Sequence, residues 1–296
     1  MAVLICGGIA GRPLTVSSAS PDEHLVLHYD FQGETDEERL ANKVGGSDSG
    51  SLTVTSPGAL SYVREGYAFV HSAKGEYISA ELGEDVRSIQ RNATMFVAFR
   101  AEGNSPSSVG DIAQIGGTVR LAIDTNNKLF TRMGSKFASD AATQKVVQSP
   151  VSRDAWVWVA VTIQYDEAGN VTEQFFLSTD EGATWSVSEF TMSGVEGMLA
   201  SAQELLLGKV SRGIDDRGTS FYYRDFRLYD RVLTQEELTE IEVPAVEIEA
   251  PVTPPTEDPT EEPDPDRILS EHLVVHYDFL GNTTEEIGRA SCRERV

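Results

Sequence analysis

Residues 156–178 read WVWVAVTIQY, then DEAGN, then VTEQFFLS. The first ten alternate. Val157, Val159, Val161 and Ile163 fall on one side of an extended chain, and Trp156, Trp158 and Thr162 on the other, because successive side chains of a strand point to opposite faces. The DEAGN cluster is a turn, and 171–178 pairs back along the first strand. The valine face predicts core. The same pattern recurs outward from this hairpin. Residues 119–123 alternate, Asn126-Asn127 turns, and 129–133 returns. Near the start, Leu25, Leu27, Tyr29 and Phe31 share one strand face, while His24, Val26, His28 and Asp30 share the other. Many short strands with Gly and Asn turns predict an all-β chain, either a two-sheet antiparallel sandwich or a barrel. One short C-terminal helix is expected, since Thr234-Gln-Glu-Glu237 is a capping box leading into Leu238 and Ile241.

A repeat sets the domain organisation. Residues 23–37 and 271–285 are identical at 11 of 15 positions without a gap. One module therefore fills most of the chain, and a second copy begins near its end. Between them, 247–266 holds eight acids, six prolines and no base, a composition that stays extended and cannot pack a core. The expected organisation is a leader at 1–20, a complete domain at 21–246, an acidic Pro-rich linker at 247–268, and the start of a truncated second repeat at 269–285. The last stretch, 286–296, reads EIGRASCRERV. It resembles the translation of a sequencing-adapter oligonucleotide rather than the repeat, and it carries no functional signal.

The formal net charge is −23. That excludes nucleic acid and anionic membrane surfaces as partners, since both need a positive footprint. Cys6 and Cys292 are the only cysteines, so the domain between them has no disulfide framework, thiolate zinc site or thiol nucleophile. Residues 1–10 are apolar, and Ser17-Ser18-Ala19 offers small residues of the kind signal peptidase accepts. The stretch reads as a secretory signal lacking its basic start, with a miscalled start codon as the alternative. No run is long enough for a transmembrane helix, so no membrane insertion is expected.

Four segments, in order, carry a family resemblance. Gly66-Tyr-Ala-Phe69 followed by Gly75-Glu-Tyr-Ile78 is similar to the G-x-A-x-x-F-x-G-x-x-x-Y-V stretch of laminin-G-like modules. Residues 156–162, WVWVAVT, resemble their W-H-H-V-A-V-T strand. Leu205-Leu-Leu-Gly208 resembles L-x-I-G, and 223–234, YRDFRLYDRVLT, resembles I-D-E-V-R-I-Y-N-R-A-L-S. The resemblance spans nearly all of 22–242. It implies a concanavalin-A-like jelly roll with its first and last strands near each other. It further implies an extracellular module that binds glycans or proteins, often appended to carbohydrate-active enzymes, and in several members a structural calcium.

The calcium is not expected here. Arg224 stands where the family has Asp, and Phe31-Gln32-Gly33 replaces F-D-G, whereas calcium needs six to eight oxygens with several carboxylates. Asp48 and Asp215-Asp216 are the remaining candidate acids, and they read as solvated loop residues. His24 and His28 are four residues apart on a strand, roughly 13 Å, too far to share one ion. No cofactor is expected. Residues 178–185, STDEGATW, fit S-x-D-x-G-x-T-W, the Asp-box of sialidases and related propellers. A propeller would repeat it once per blade. A single copy reads as a hairpin turn built by Ser178, Asp180 and Gly182 and anchored by Trp185.

No serine elbow, phosphate loop or dinucleotide fingerprint occurs, so no enzyme activity is expected. Trp158 and Trp156 are the leading ligand-binding candidates, as aromatic plates for a sugar face. Tyr223 and Arg224 are weaker ones, and packing under a cover is the competing reading for both tryptophans. Three functions stay open: a secreted or cell-surface module binding glycan or extracellular protein within an array of neighbouring repeats; an accessory domain of a glycoside hydrolase or sialidase; and an adhesin stalk with no ligand.

Overall fold

The computed structural model describes residues 21–55, 61–71, 75–103, 109–116, 118–133, 144–193, 199–209 and 219–248. The chain divides into two units, 1–246 and 247–296, and every element below lies in the first. The leader, the linker from 249 onward, the second-copy segment, the terminal segment and Asp215-Asp216 lie outside the described residues.

In chain order the strands are β1 (Leu25–Tyr29), β2 (Thr53–Thr55), β3 (Tyr62–Arg64), β4 (Tyr67–Val70), β5 (Tyr77–Glu81), β6 (Asn92–Ala101), β7 (Gly110–Ile115) and β8 (Val119–Ile123). They continue as β9 (Lys128–Met133), β10 (Gln144–Pro150), β11 (Val157–Tyr165), β12 (Val171–Ser178), β13 (Ser186–Met192), β14 (Glu204–Leu207) and β15 (Phe221–Tyr229). Sheet I has eight strands in the order β13-β12-β11-β6-β15-β4-β3, with β1 also paired to β15. Sheet II has seven, in the order β10-β9-β8-β7-β14-β5-β2. All pairings are antiparallel. The chain is therefore a two-sheet β-sandwich, and its first and last strands pair directly.

The expected hairpins are present. β11 and β12 pair from Trp158↔Ser178 to Tyr165↔Val171, around a turn in which Asp166 accepts from the Asn170 backbone at 2.8 Å. β8 and β9 pair around Asn127, whose φ is 61°. The valine face packs between the sheets: Val157, Val159, Val161 and Ile163 meet Phe99, Val97, Met95 and Ala93 of β6, all at most 2% exposed. Each of these side chains larger than alanine contributes about 1.5–3 kcal/mol of burial.

The face assignment for β1 needs one correction. Leu27, Tyr29 and Phe31 are fully buried in the core, but the pairing register shifts between Leu25 and Leu27. That irregularity turns Leu25 to the outer side of sheet I and sets Val26 against the inner core, as an extra residue in one strand must.

Helix α3 (Gln235–Thr239) carries the expected capping box, Thr234 accepting from the Glu237 backbone and Glu237 from the Thr234 backbone. Two short helices were not anticipated. α1 (Asp36–Leu40) uses the same box from Thr35 and Glu38. α2 (Glu84–Arg87) follows Gly83, which has no side chain to cap it, so Asp48 supplies the cap from a distant loop, accepting from Glu84 N at 2.7 Å and Asp85 N at 3.1 Å.

Candidate ligand-binding face

The outer face of sheet I has two halves. Over the first, residues 233–246 fold back as a strap. Leu233, Leu238 and Ile241 cover Phe96, Ala98, Trp158, Ala160, Phe176 and Tyr229, forming a second apolar cluster outside the main core. The Asp-box turn closes its margin. Ser178 Oγ donates to Asp180 at 2.8 Å, and Gly182 N donates back to Ser178 Oγ at 2.8 Å. Thr184 N donates to Asp180 at 2.9 Å. These hydrogen bonds, that from the Thr184 hydroxyl first, hold the Asp180 carboxyl below its usual range. Gly182, at φ +84°, lies so close to Trp158 that a Cβ there would stand 2.5 Å from the indole. This motif is a structural turn that packs on Trp158.

Trp158 is 5% exposed. The expectation that it offers a plate to a ligand is corrected: its ring is roofed by the strap and the turn. Tyr223 is on the inner face, fully buried, its hydroxyl donating to the Ile112 carbonyl at 2.7 Å. Arg224 is 2% exposed and acts as a latch. Its Nη2 donates to the Pro244 carbonyl at 2.8 Å, its Nε to the same oxygen at 3.0 Å and its Nη1 to Glu181 at 3.2 Å. It thereby ties both the strap and the turn to β15. Arg227 adds a bond to the Glu242 carbonyl at 2.6 Å. A buried Asp225 holds Arg227 at 2.9 and 3.0 Å and the His28 ring at 3.1 Å. His24 is an exposed surface residue bonded to Asp230. A cleft of about 690 Å³ beside the strap is lined by His28, Arg227, Asp22, Glu240 and Glu242. Among the described residues no group of three His, Cys, Asp or Glu is placed to hold a metal.

The second half lies over β3, β4 and the start of β15, and there the outer side chains are aromatic. Val63, Ala68, Val70, Phe221 and Tyr223 point into the core, so alternation turns Tyr62, Arg64, Tyr67, Phe69 and Tyr222 outward. Register then aligns them across strands: Tyr62↔Phe69, Phe69↔Tyr222, Tyr222↔Arg100. The ring centroids are 5.2 Å apart for Tyr62–Phe69 and 4.7 Å for Phe69–Tyr222. Tyr67 packs beside the row, 6.3 Å from Tyr62 and 5.8 Å from Tyr222. Arg64 lies over Tyr62 at 5.0 Å and Arg100 over Tyr222 at 5.2 Å. Tyr62 and Phe69 are partly exposed. The Tyr222 hydroxyl donates to Glu102 at 3.3 Å, and burial raises its pKa, so it stays a neutral donor.

Trp156 belongs to this row. Continuing the register Val157↔Phe99 by one residue brings it level with Arg100. It is partly exposed, with Arg224 over its ring at 4.9 Å. Of the four residues singled out in the sequence, Trp156 alone retains an open side chain. Tyr62, Phe69 and Tyr222 were missed. The signal was present in 62–70, YVREGYAFV, where aromatics alternate with Val63, Ala68 and Val70 across the Glu65-Gly66 turn.

No family model matches the chain, and no curated protein sequence matches it. Among solved structures it is similar to botulinum neurotoxin binding domains. These include the receptor-binding domain of mosaic serotype C/D (TM-score 0.55, 11% identity, 75% of this chain and 51% of that one). They also include the serotype D binding domain (TM-score 0.53, 13% identity, 74% and 51%). The type DC binding domain has been solved with SialylT (TM-score 0.51, 10% identity, 75% and 51%) and with rat synaptotagmin II (TM-score 0.52, 11% identity, 75% and 51%). This chain spans about half the length of those it matches. At such identity the likeness establishes a shared β-sandwich fold.

Proposed function

We propose that residues 21–246 form a non-catalytic extracellular binding module of the laminin-G-like kind, repeated along a longer secreted or surface chain, which takes a glycan or protein ligand on the uncovered half of sheet I. The carrying observation is the aromatic row itself. Sheet I buries its other aromatic half under a dedicated strap, yet leaves Tyr62, Phe69 and Trp156 partly open. Partly open aromatic side chains set side by side on one sheet face are a candidate interaction site. The fold supports the reading, since the similar neurotoxin domains are binding domains whose partners include a glycan and a protein.

A single shallow row gives weak affinity, on the order of 0.1–1 mM, or roughly −5 kcal/mol. Tandem copies on an extended linker raise the apparent affinity through a high effective concentration, which gives the repeat a function. The test is a binding screen of the full chain against glycans and extracellular matrix proteins. Binding of some ligand, with no turnover of sialosides or glycosides, supports the module. Absence of any ligand at millimolar concentration favours the stalk.

A further inference from the structure

Resting on that reading, we infer that the row Tyr62–Phe69–Tyr222–Arg100–Trp156 is a platform for an uncharged, soluble glycan chain lying across the strands of sheet I. Three features select this ligand. The first is shape. The row crosses five adjacent strands, β3-β4-β15-β6-β11, roughly 19 Å at about 4.8 Å per strand. The Tyr62, Phe69 and Tyr222 rings are packed against one another in the pleat. The row is a strip without a deep socket, whereas a protein partner is usually held by anchors seated in pockets. A chain of sugar rings needs only a succession of faces to stack on.

The second is chemistry. Planar polar groups accompany the rings here. The Arg64 and Arg100 guanidiniums lie over Tyr62 and Tyr222, and the Glu102 carboxylate accepts from the Tyr222 hydroxyl. Aromatic faces meet the C–H face of a pyranose. Guanidinium and carboxylate edges meet the hydroxyls at its rim. Successive rings are tilted by 32° (Tyr62–Phe69) and 46° (Phe69–Tyr222), so they share no common plane. A flat crystalline polysaccharide would meet one ring at a time, while a free chain that twists along its length can meet the partly open rings, Tyr62, Phe69 and Trp156, in turn, with Tyr222 buried beneath them.

The third is charge. The cations along the patch are matched by acids: Arg100 Nη2 lies 3.9 Å from Asp154, Arg224 pairs with Glu181, and Glu102 accepts from Tyr222. Residues 21–246 themselves hold more acids than bases, a field that opposes an anionic ligand at close range. The ligand class thus differs from the sialyl glycan carried by one of the similar neurotoxin domains.

The test is titration of the full chain, by calorimetry and by NMR of its aromatic signals, with cellohexaose, xylohexaose, laminarihexaose and mannohexaose. Sialyllactose and a hyaluronan hexasaccharide serve as anionic probes. We expect at least one neutral hexaose to bind, with less than about a twofold change in affinity between roughly 0.05 and 0.5 M salt. Tyr62→Ala and Phe69→Ala should each weaken it about tenfold or more. Tyr62 is on the edge strand and partly exposed, so its variant keeps the test decisive if Phe69→Ala unfolds.

Binding confined to the anionic probes and weakened by salt would overturn the uncharged class. So would a protein ligand with no glycan bound. In either case, loss on Tyr62→Ala would leave the binding module standing. Glycan binding indifferent to both substitutions would overturn the site. Absence of every ligand would sink the module reading as well.

Discussion

Two aromatic groups occupy the same face of the same sheet and have opposite fates. Phe96, Trp158 and Phe176 lie under the strap, joined by Leu233, Leu238 and Ile241. Tyr62, Phe69 and Trp156 lie beyond it and keep part of their surface in solvent. Trp156 and Trp158 are two residues apart and point the same way, yet Trp158 is roofed by the strap and the turn, while Trp156, with the Arg224 guanidinium over its ring, stays partly exposed. Strand alternation assigns a face; it does not say what covers that face. The cover comes from residues 233–246, held by Arg224 and Arg227 through the carbonyls of Pro244 and Glu242. The consequence is that substitutions in the covered half should be felt as stability, and those in the open half as affinity.

The sharpest test is Trp158→Ala. It removes the centre of the roofed cluster and leaves Gly182 facing a cavity, so we expect a loss of about 3–5 kcal/mol in denaturant unfolding. A loss under about 1 kcal/mol would mean the strap is not packed on the sheet, and the comparison would fall.

A buried acid between the sheets sets the baseline for such measurements. Glu173 is fully buried, one oxygen bonded to Thr131 and the other without a partner among the described residues. Burial pushes its pKa up to about 7. A raised carboxyl pKa means the folded state holds the proton more tightly than the unfolded chain. Its contribution is therefore complete below the ordinary value near 4.5 and is lost as pH rises toward 7. The loss is on the order of 3 kcal/mol across that window. Glu173→Gln should flatten this slope. The gap between covered-half and open-half variants should be the same at pH 5 and pH 8, because Glu173 faces the core and belongs to neither half. A gap that changes with pH would show the halves coupled through the core.

Next in size is the latch. Arg224→Ala deletes the donors that meet Pro244 and Glu181 and exposes the Trp156 ring. We expect about 2–3 kcal/mol, with faster amide exchange in 240–246 than in β15, measured by hydrogen exchange. Uniform loss of protection would mean the strap unfolds only with the whole domain. The resemblance to laminin-G-like modules marked Arg224 only as a replaced Asp; nothing in the neighbouring sequence announces the carbonyls it holds.

That contrast runs through the molecule. Elements whose cause is local were legible. The valine alternation of β11, the Asp166–Asn170 turn, the Thr234 capping box and the Asp-box hairpin all rest on residues within a few positions of one another. The β1 register shift, the Asp48 cap on α2 and the burial of Trp158 depend on partners distant in the chain. The row of Tyr62, Phe69 and Tyr222 is intermediate, since alternation in 62–70 points its rings outward but only the pairing of β4 with β15 makes them a row.

The smallest expected effect bears hardest on the comparison. Tyr62 ends the row on edge strand β3, partly exposed, touching Phe69 and Tyr67. Tyr62→Ala removes two cross-strand ring contacts on an edge strand, to Phe69 and Tyr67, so its cost should be about 1–2 kcal/mol, below that of Trp158→Ala, read by the same denaturant titration. A substitution this cheap that also lowers ligand affinity would place the two halves in different roles, because a residue kept for packing cannot be removed for so little. If Tyr62→Ala instead costs about as much as Trp158→Ala, the open row is a structural cluster that happens to reach solvent. Sheet I would then be one packed face with a ragged edge, and the ligand would have to be sought elsewhere on the molecule.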